Sequence, residues 1–176
     1  MTTKIKFAKV RPDAKIPSKR VEDMGFDIYA CFDEDYIVIP PHETKLIPTG
    51  IASSCEPEYG FLLRERGSTG SKGIALRCGV LDSGYRNEWF VCLMNSTDEY
   101  MFITKLDAKD TLLDYFGNKF GDLLNESDFT LYPYSKAIAQ ALVVPVPAVE
   151  VEELTYDDLK AIPSERGLGC LGSSSK

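Results

Sequence analysis

Nine short stretches with strand character recur along the chain: IKFAKV, FDIYACF, YIVIP, TKLIPTGIAS, GFLLRER, GIALRCGVLD, EWFVCLMN, YMFITK and IAQALVVPV. Turn chemistry separates them, as in PPHE, EPEYG and DSGYRN. Short β-branched and aromatic runs, regularly punctuated by Gly, Pro, Asn and Asp, predict an all-β sandwich or barrel. Helix signals are few. The clearest is DAKDTLLDYFGNKFGDLLNESD (107–128), where Leu112, Leu113, Phe116, Phe120, Leu123 and Leu124 recur at helical spacing, interrupted by Gly117 and Gly121. It reads as an insertion, about 97–133, between two strands. The expected organisation is one β domain over 1–163 carrying that insertion, followed by a flexible C-terminal arm over 164–176.

A chain of 176 residues with 44% hydrophobic residues can bury a sizeable single core. Acidic side chains outnumber basic ones 27 to 20, for a formal charge of -7. That balance opposes nonspecific attraction to nucleic acid or anionic lipid, so any phosphate site must be local. Five cysteines are scattered without a CxxC pair, and His42 is the only imidazole, which argues for reduced thiols in a cytoplasmic protein and against structural zinc. No run approaches the roughly 20 apolar residues of a membrane span.

Arg66, Gly67, Ser68, Thr69, Gly70, Ser71 and Lys72 bring backbone N–H groups, hydroxyls and two cations into one turn, a plausible anion nest. The GxxxxGK[ST] spacing is absent and a strand follows where that motif needs a helix. A second Arg/Gly/Ser element runs from Arg166 to Lys176. Two such segments in an acidic chain point to a polyphosphate held from two sides. Asp82, at the end of an apolar run, is either a turn aspartate or a group that orients and deprotonates water. Tyr85 could stack on a sugar. Asp27 is a carboxylate inside a short strand, of the kind hard cations take directly or through water.

In order along the chain, MGFDIYA (24–30), RGSTGSK (66–72), GVLDSGYRNE (79–88), IAQALV (138–143) and RGLGCLGSS (166–174) resemble the five motifs of the homotrimeric dUTPase family. The third match is the most specific. The resemblance implies a distorted jelly-roll barrel, three sites at subunit junctions of a homotrimer, and Mg2+-dependent hydrolysis of dUTP to dUMP and pyrophosphate, which limits uracil incorporation into DNA and supplies dUMP for thymidylate synthesis. It assigns Asp82 to activation of the attacking water and Tyr85 to the face of the deoxyribose. The backbone of a hairpin from about Ile74 to Asp82, including Gly79 and Val80, would read uracil. Arg66, Gly67, Ser68 and Gln140 would hold the phosphates. Asp27 would reach, through water, a magnesium ion bound mainly by the triphosphate. Arg166, Leu171, Gly172 and Ser173 would close over the nucleotide as a lid.

Three departures matter. Arg66 is followed by Gly67 and then Ser68, where the family has Arg-Ser, so Arg64 competes with Arg66 for the arginine's place. Ser135-Lys136-Ala137 replaces Gly-Asp-Arg before the fourth motif. Leu171 stands where a phenylalanine usually covers the base, which weakens stacking. Among alternatives, a dCTP deaminase needs a glutamate where this chain has Cys92, and a regulatory protein on the same scaffold would bind a protein partner through the insertion. An insertion in this position resembles that of some phage dUTPases.

Overall fold

The structure, a computed structural model, describes residues 3–106, 117 and 129–169. Alternating apolar residues turn the predicted stretches into strands with one face inward. These are β1 (Lys6–Lys9), β2 (Phe26–Tyr29), β3 (Tyr36–Ile39), β4 (Thr44–Pro48), β5 (Ile51–Ser54) and β6 (Tyr59–Arg64). A single helical turn, α1 (Gly67–Gly70), follows, then β7 (Ile74–Arg77), β8 (Val80–Leu81), β9 (Phe90–Asn95), β10 (Tyr100–Thr104), β11 (Phe129–Pro133), β12 (Ala137–Pro145) and α2 (Tyr156–Ala161).

The fold is mostly β, as expected, but the described strands do not close into a barrel. They form separate sheets in the orders β1-β5, β11-β10-β3, β2-β12-β6-β8 and β4-β9-β7. Neighbours distant in sequence, such as β2 and β12, give the crossed connectivity that jelly rolls share. The main core gathers Ile28, Ile39, Ile47, Phe61, Leu63, Trp89, Val91 and Ile138, all at most 1% exposed. Its aromatic centre is edge-on: Phe61 lies 4.8 Å and Phe7 5.6 Å from the Trp89 ring. Truncating a ring so enclosed, as in Phe61→Ala, costs about 3–5 kcal/mol.

Several boundaries differ from the sequence reading, each for a local reason. TKLIPTGIAS is two strands, because Gly50 takes a φ of 68° between β4 and β5. GIALRCGVLD also divides. Cys78, at φ 53°, turns the chain out of the sheet of β9 and into that of β6, so β7 and β8 are not partners and the expected hairpin is a strand–turn–strand between two sheets.

The flanks of the expected insertion are built into the body. Met101 and Ile103 of β10 belong to the main core, and β10 pairs antiparallel with β3. Its pairing with β11, not anticipated as a strand, is parallel, with Tyr100 opposite Phe129 and Thr104 opposite Pro133. A parallel pair cannot be joined by a tight turn. Phe102 and Phe129 form a smaller cluster with Tyr36, Val38 and Leu131. The helical positions Leu112, Leu113, Phe116, Phe120, Leu123 and Leu124 lie outside the described residues.

The chain divides into two compact units, Met1–Val146 and Pro147–Lys176. Within the second unit α2 was not anticipated. Its signal is readable in hindsight: Thr155 accepts from the Asp158 N–H at 3.1 Å, Asp157 and Asp158 occupy the first turn, and Lys160 the last. No described helix is long and apolar enough to cross a membrane. Cys31, Cys55, Cys78 and Cys92 are all free thiols, and burial, followed by the Asp13 carboxylate, pushes Cys31 up to about 11.

Candidate active site

Strand β12 organises the first half of the site. Its Gln140 lies in register with Asp27 of β2 on one side and Arg64 of β6 on the other. The side chain of Gln140 donates to the Glu65 carbonyl at 2.8 Å, and it can lie flat against β2 only because residue 25 is glycine. A Cβ on Gly25 would meet its Oε1 at 2.8 Å. The first motif's glycine is thus a close-approach position.

Beyond β6 the chain enters α1, whose first N–H groups, those of Gly67 and Ser68, have no partner within the helical turn. Thr69 is buried and ties the turn down, its hydroxyl donating to the Arg66 carbonyl at 3.0 Å. Arg66 reaches back across the sheet. Its Nε lies 3.1 Å from Asp27 Oδ1, and its Nη1 donates to the Ala137 carbonyl at 3.3 Å. The Tyr132 hydroxyl donates to that same carbonyl at 2.6 Å. Burial, opposed by Arg66, raises the Tyr132 phenol above its ordinary value, so it stays a protonated donor. Tyr132 fell inside the presumed insertion, and nothing in its local sequence distinguishes it from a packing tyrosine.

Asp27, Arg66, Gly67, Ser68 and Gln140 therefore line one open cleft of about 770 Å3, together with Ser18, Lys19, Arg20, Asp23, Met24 and Gly25. Arg64 points elsewhere. It pairs with Glu65 at 3.3 Å and lines an adjoining hollow with Gly70, Gly73 and Ser96, which Arg66 and Gly67 border as well. Of the two competing arginines, Arg66 is the one in the cleft.

The third motif stands apart. Gly79, Val80, Asp82 and Tyr85 do not line this cleft. Gly79 lies hard against β6: a Cβ there would sit 2.5 Å from the Leu63 carbonyl oxygen, and the Gly79 carbonyl accepts from the Leu63 N–H at 2.7 Å. Val80 is 74% exposed. Asp82 is exposed and opens a turn closed by the Tyr85 N–H at 3.1 Å from its carbonyl. The Tyr85 hydroxyl donates to the Glu88 carbonyl at 3.1 Å, and Arg86 donates to the carbonyls of Ser83, Tyr85 and Ser53. Downstream, Glu88 accepts from the Gly50 N–H at 2.7 Å, and buried Thr49 donates to the Trp89 carbonyl at 2.7 Å. The loop is held at both ends with its carboxylate facing outward.

Among the described residues no three His, Cys, Asp or Glu side chains gather as a ligand set. Asp27 lines the cleft beside Gly67 and Ser68, and Arg66 already occupies one of its oxygens. This donor set fits a hard cation that arrives coordinated by a polyphosphate and suits no protein-caged ion. Arg166, in the second unit, donates from Nε to the Gly169 carbonyl at 3.3 Å. Leu171, Gly172 and Ser173 lie outside the described residues.

Comparison with known proteins gives a consistent result. The family model described as dUTPase matches residues 13–108. The deoxyuridine 5'-triphosphate nucleotidohydrolase of Nautilia profundicola is 31% identical over 180 residues, covering 98% of this chain and 99% of that protein. That of Paraburkholderia xenovorans is 30% identical over 178 residues, covering 93% and 97%. Among solved structures, the Staphylococcus bacteriophage 80alpha dUTPase with dUPNHPP superposes with a TM-score of 0.72 at 21% identity, covering 99% of this chain and 100% of that one. The dUTPase from phage phi11 of S. aureus gives 0.64 at 19% identity, covering 86% and 96%. The motif order, the polar cleft built by three of the motifs and relatives matched end to end agree: the chain belongs to the dUTPase family.

Proposed function

We propose that this protein hydrolyses dUTP to dUMP and pyrophosphate at sites shared between copies of the chain in a homotrimer. Family membership carries the reaction. The observation that carries the shared site is the separation of the Asp27–Arg66–Gln140 cleft from the outward-facing Asp82 loop. The cleft offers what a triphosphate needs: the first amides of α1 at Gly67 and Ser68, the Ser68 hydroxyl, a fixed guanidinium and the remaining N–H of Gln140. Such preset donors stabilise negative charge without reorganising during the reaction.

Asp82 of one copy holds and deprotonates the attacking water in the cleft of another, its exposure leaving it free to enter that second copy's cleft. The oxygen–phosphorus bond forms at the α-phosphorus as the bond to the β-phosphate's bridging oxygen breaks, and pyrophosphate leaves with the electron pair. The backbone near Gly79 and Val80 reads uracil, and the ring of Tyr85, fixed by its bond to Glu88, lies under the deoxyribose. Arg166, Leu171, Gly172 and Ser173 close over the nucleotide. Asp27 would hold, through water, a magnesium ion carried mainly by the triphosphate, and that ion would supply charge neutralisation.

The deaminase reading is not favoured. Cys92, where a glutamate is required, is buried in β9 opposite Leu46. Pyrophosphate release from dUTP, dTTP, dCTP and UTP, with and without magnesium, tests the proposal. Release from dUTP alone, dependent on magnesium, is the expected result. Ammonia from dCTP would overturn it.

A further inference from the structure

Charge balance inside the cleft singles out one residue that no motif contains. Three cations line it among the described residues: Lys19, Arg20 and Arg66. Arg66 is engaged by Asp27. Arg20 is engaged by Asp23 in a two-point fork, with Nε 2.9 Å from Oδ2 and Nη2 2.9 Å from Oδ1. Lys19 alone of the three has no carboxylate at salt-bridge distance among the described residues. Its Nζ donates to the carbonyls of Asp23 at 2.6 Å and Arg20 at 3.3 Å, and lies 5.7 Å from the centre of the Phe26 ring. An ammonium has three donors, so one N–H remains after the two carbonyls are served.

The backbone holds Lys19 in place. The Asp27 N–H donates to the Ser18 carbonyl at 2.9 Å, bridging the segment to β2 at the residue that engages Arg66. The turn from Arg20 to Asp23 is closed by its own backbone bond and by the Arg20–Asp23 fork. Lys19 is thus a preset cation at the rim of the cleft, with its stem against an aromatic ring. The cleft's other charges cancel in pairs, whereas the ligand carries several negative charges, most of them beyond the α-phosphate.

Resting on the dUTPase reading above, we propose that Lys19 is a substrate-binding residue that holds the β,γ-phosphate portion, the part that leaves as pyrophosphate. Its ammonium makes a charge-assisted hydrogen bond to a phosphate oxygen while its two carbonyl contacts keep it aimed.

Binding of dUMP and of the non-hydrolysable imido analogue of dUTP, by calorimetry with magnesium present, tests this in the full-length protein. Lys19→Met should weaken the imido analogue about tenfold, the loss of one good charged contact, and shift dUMP less than about twofold. Lys19→Arg should keep most of the affinity, and Lys15→Met, whose ammonium sits 4.5 Å over the Tyr29 ring and does not line the cleft, should match wild type. Equal weakening of both ligands by Lys19→Met would make Lys19 a clamp of its own turn, and no weakening would make it a bystander; either overturns the inference alone. A wild-type protein that binds neither ligand and releases no pyrophosphate from dUTP would overturn the dUTPase reading as well.

Discussion

The cleft around Asp27 and the loop around Asp82 are built in opposite ways. In the cleft, three elements of the central sheet converge, every charged group but one is paired, and Gly25, Gln140 and Tyr132 fix the geometry from behind. At the loop, a turn is pinned at its two ends and its carboxylate faces outward. On the proposed function, one region would receive the phosphates and the other would present its carboxylate to a site outside its own chain. In the proposed homotrimer, a heterologous contact that repeats around a threefold axis would bring the two together, each copy giving its loop to a neighbour's cleft.

Four substitutions sharpen or break this contrast. Asp82→Asn keeps the loop's shape and removes the base, so turnover should fall by about 10² to 10⁴ while binding of the imido analogue is retained. Near wild-type turnover in that variant would move the base elsewhere. Gly79→Ala places a methyl 2.5 Å from the Leu63 carbonyl and should destabilise the fold by about 1–3 kcal/mol, read as a lower urea midpoint. An unchanged midpoint would mean that β8 is not held against β6.

Gln140→Ala removes a donor from the cleft and its bond to Glu65, so KM for dUTP should rise about tenfold with a smaller change in kcat. A fall in kcat at constant KM would place Gln140 with the reacting atoms instead.

Glu65→Gln gives the smallest effect and probes the joint between the regions, since Glu65 accepts from the Leu76 N–H of β7 at 3.2 Å. Its own backbone N–H, then that of Leu76, hold its carboxyl below the ordinary carboxylate range. A depressed folded-state value contributes stability that is present at neutral pH and is lost as pH falls through it. The stability gap between wild type and Glu65→Gln, measured by denaturant titration, should therefore be widest near neutrality and close in acid. A gap independent of pH would deny the carboxylate this role.

The all-β class and most strand positions were legible because period-two patterning and turn residues are local signals. The gathering of Asp27, Arg66 and Gln140 came from motif order, and the register of β12 shows why it holds. The splitting of GIALRCGVLD was not legible, since it depends on a left-handed Cys78, a conformation uncommon outside glycine. β11 and Tyr132 were hidden for another reason. A parallel pairing across a long connection leaves no local signature, so a strand essential to the body looked like part of an appendage. Lys19 was missed because a lysine in a polar stretch carries no signal until its neighbours' carboxylates are seen to be occupied.

These corrections bear on the insertion. Removing 98–132 would delete β10 with Met101 and Ile103, and Tyr132 with its bond to Ala137. It is expected to abolish folding, and a shorter deletion within 107–128 is the better probe of partner binding.

The central claim is that a cleft from one copy works with Asp82 from another, and mixing two inactive variants tests it most directly. Arg66→Ala disables the cleft and Asp82→Asn disables the loop. Each alone should be nearly inactive. Denatured together in equal amounts and refolded, they should assemble mixed trimers in which about a quarter of the sites combine an intact cleft with an intact loop, restoring roughly that share of wild-type turnover. If cleft and loop instead served the same chain's site, no mixed assembly would hold an intact site, and the mixture would stay as inactive as its parts.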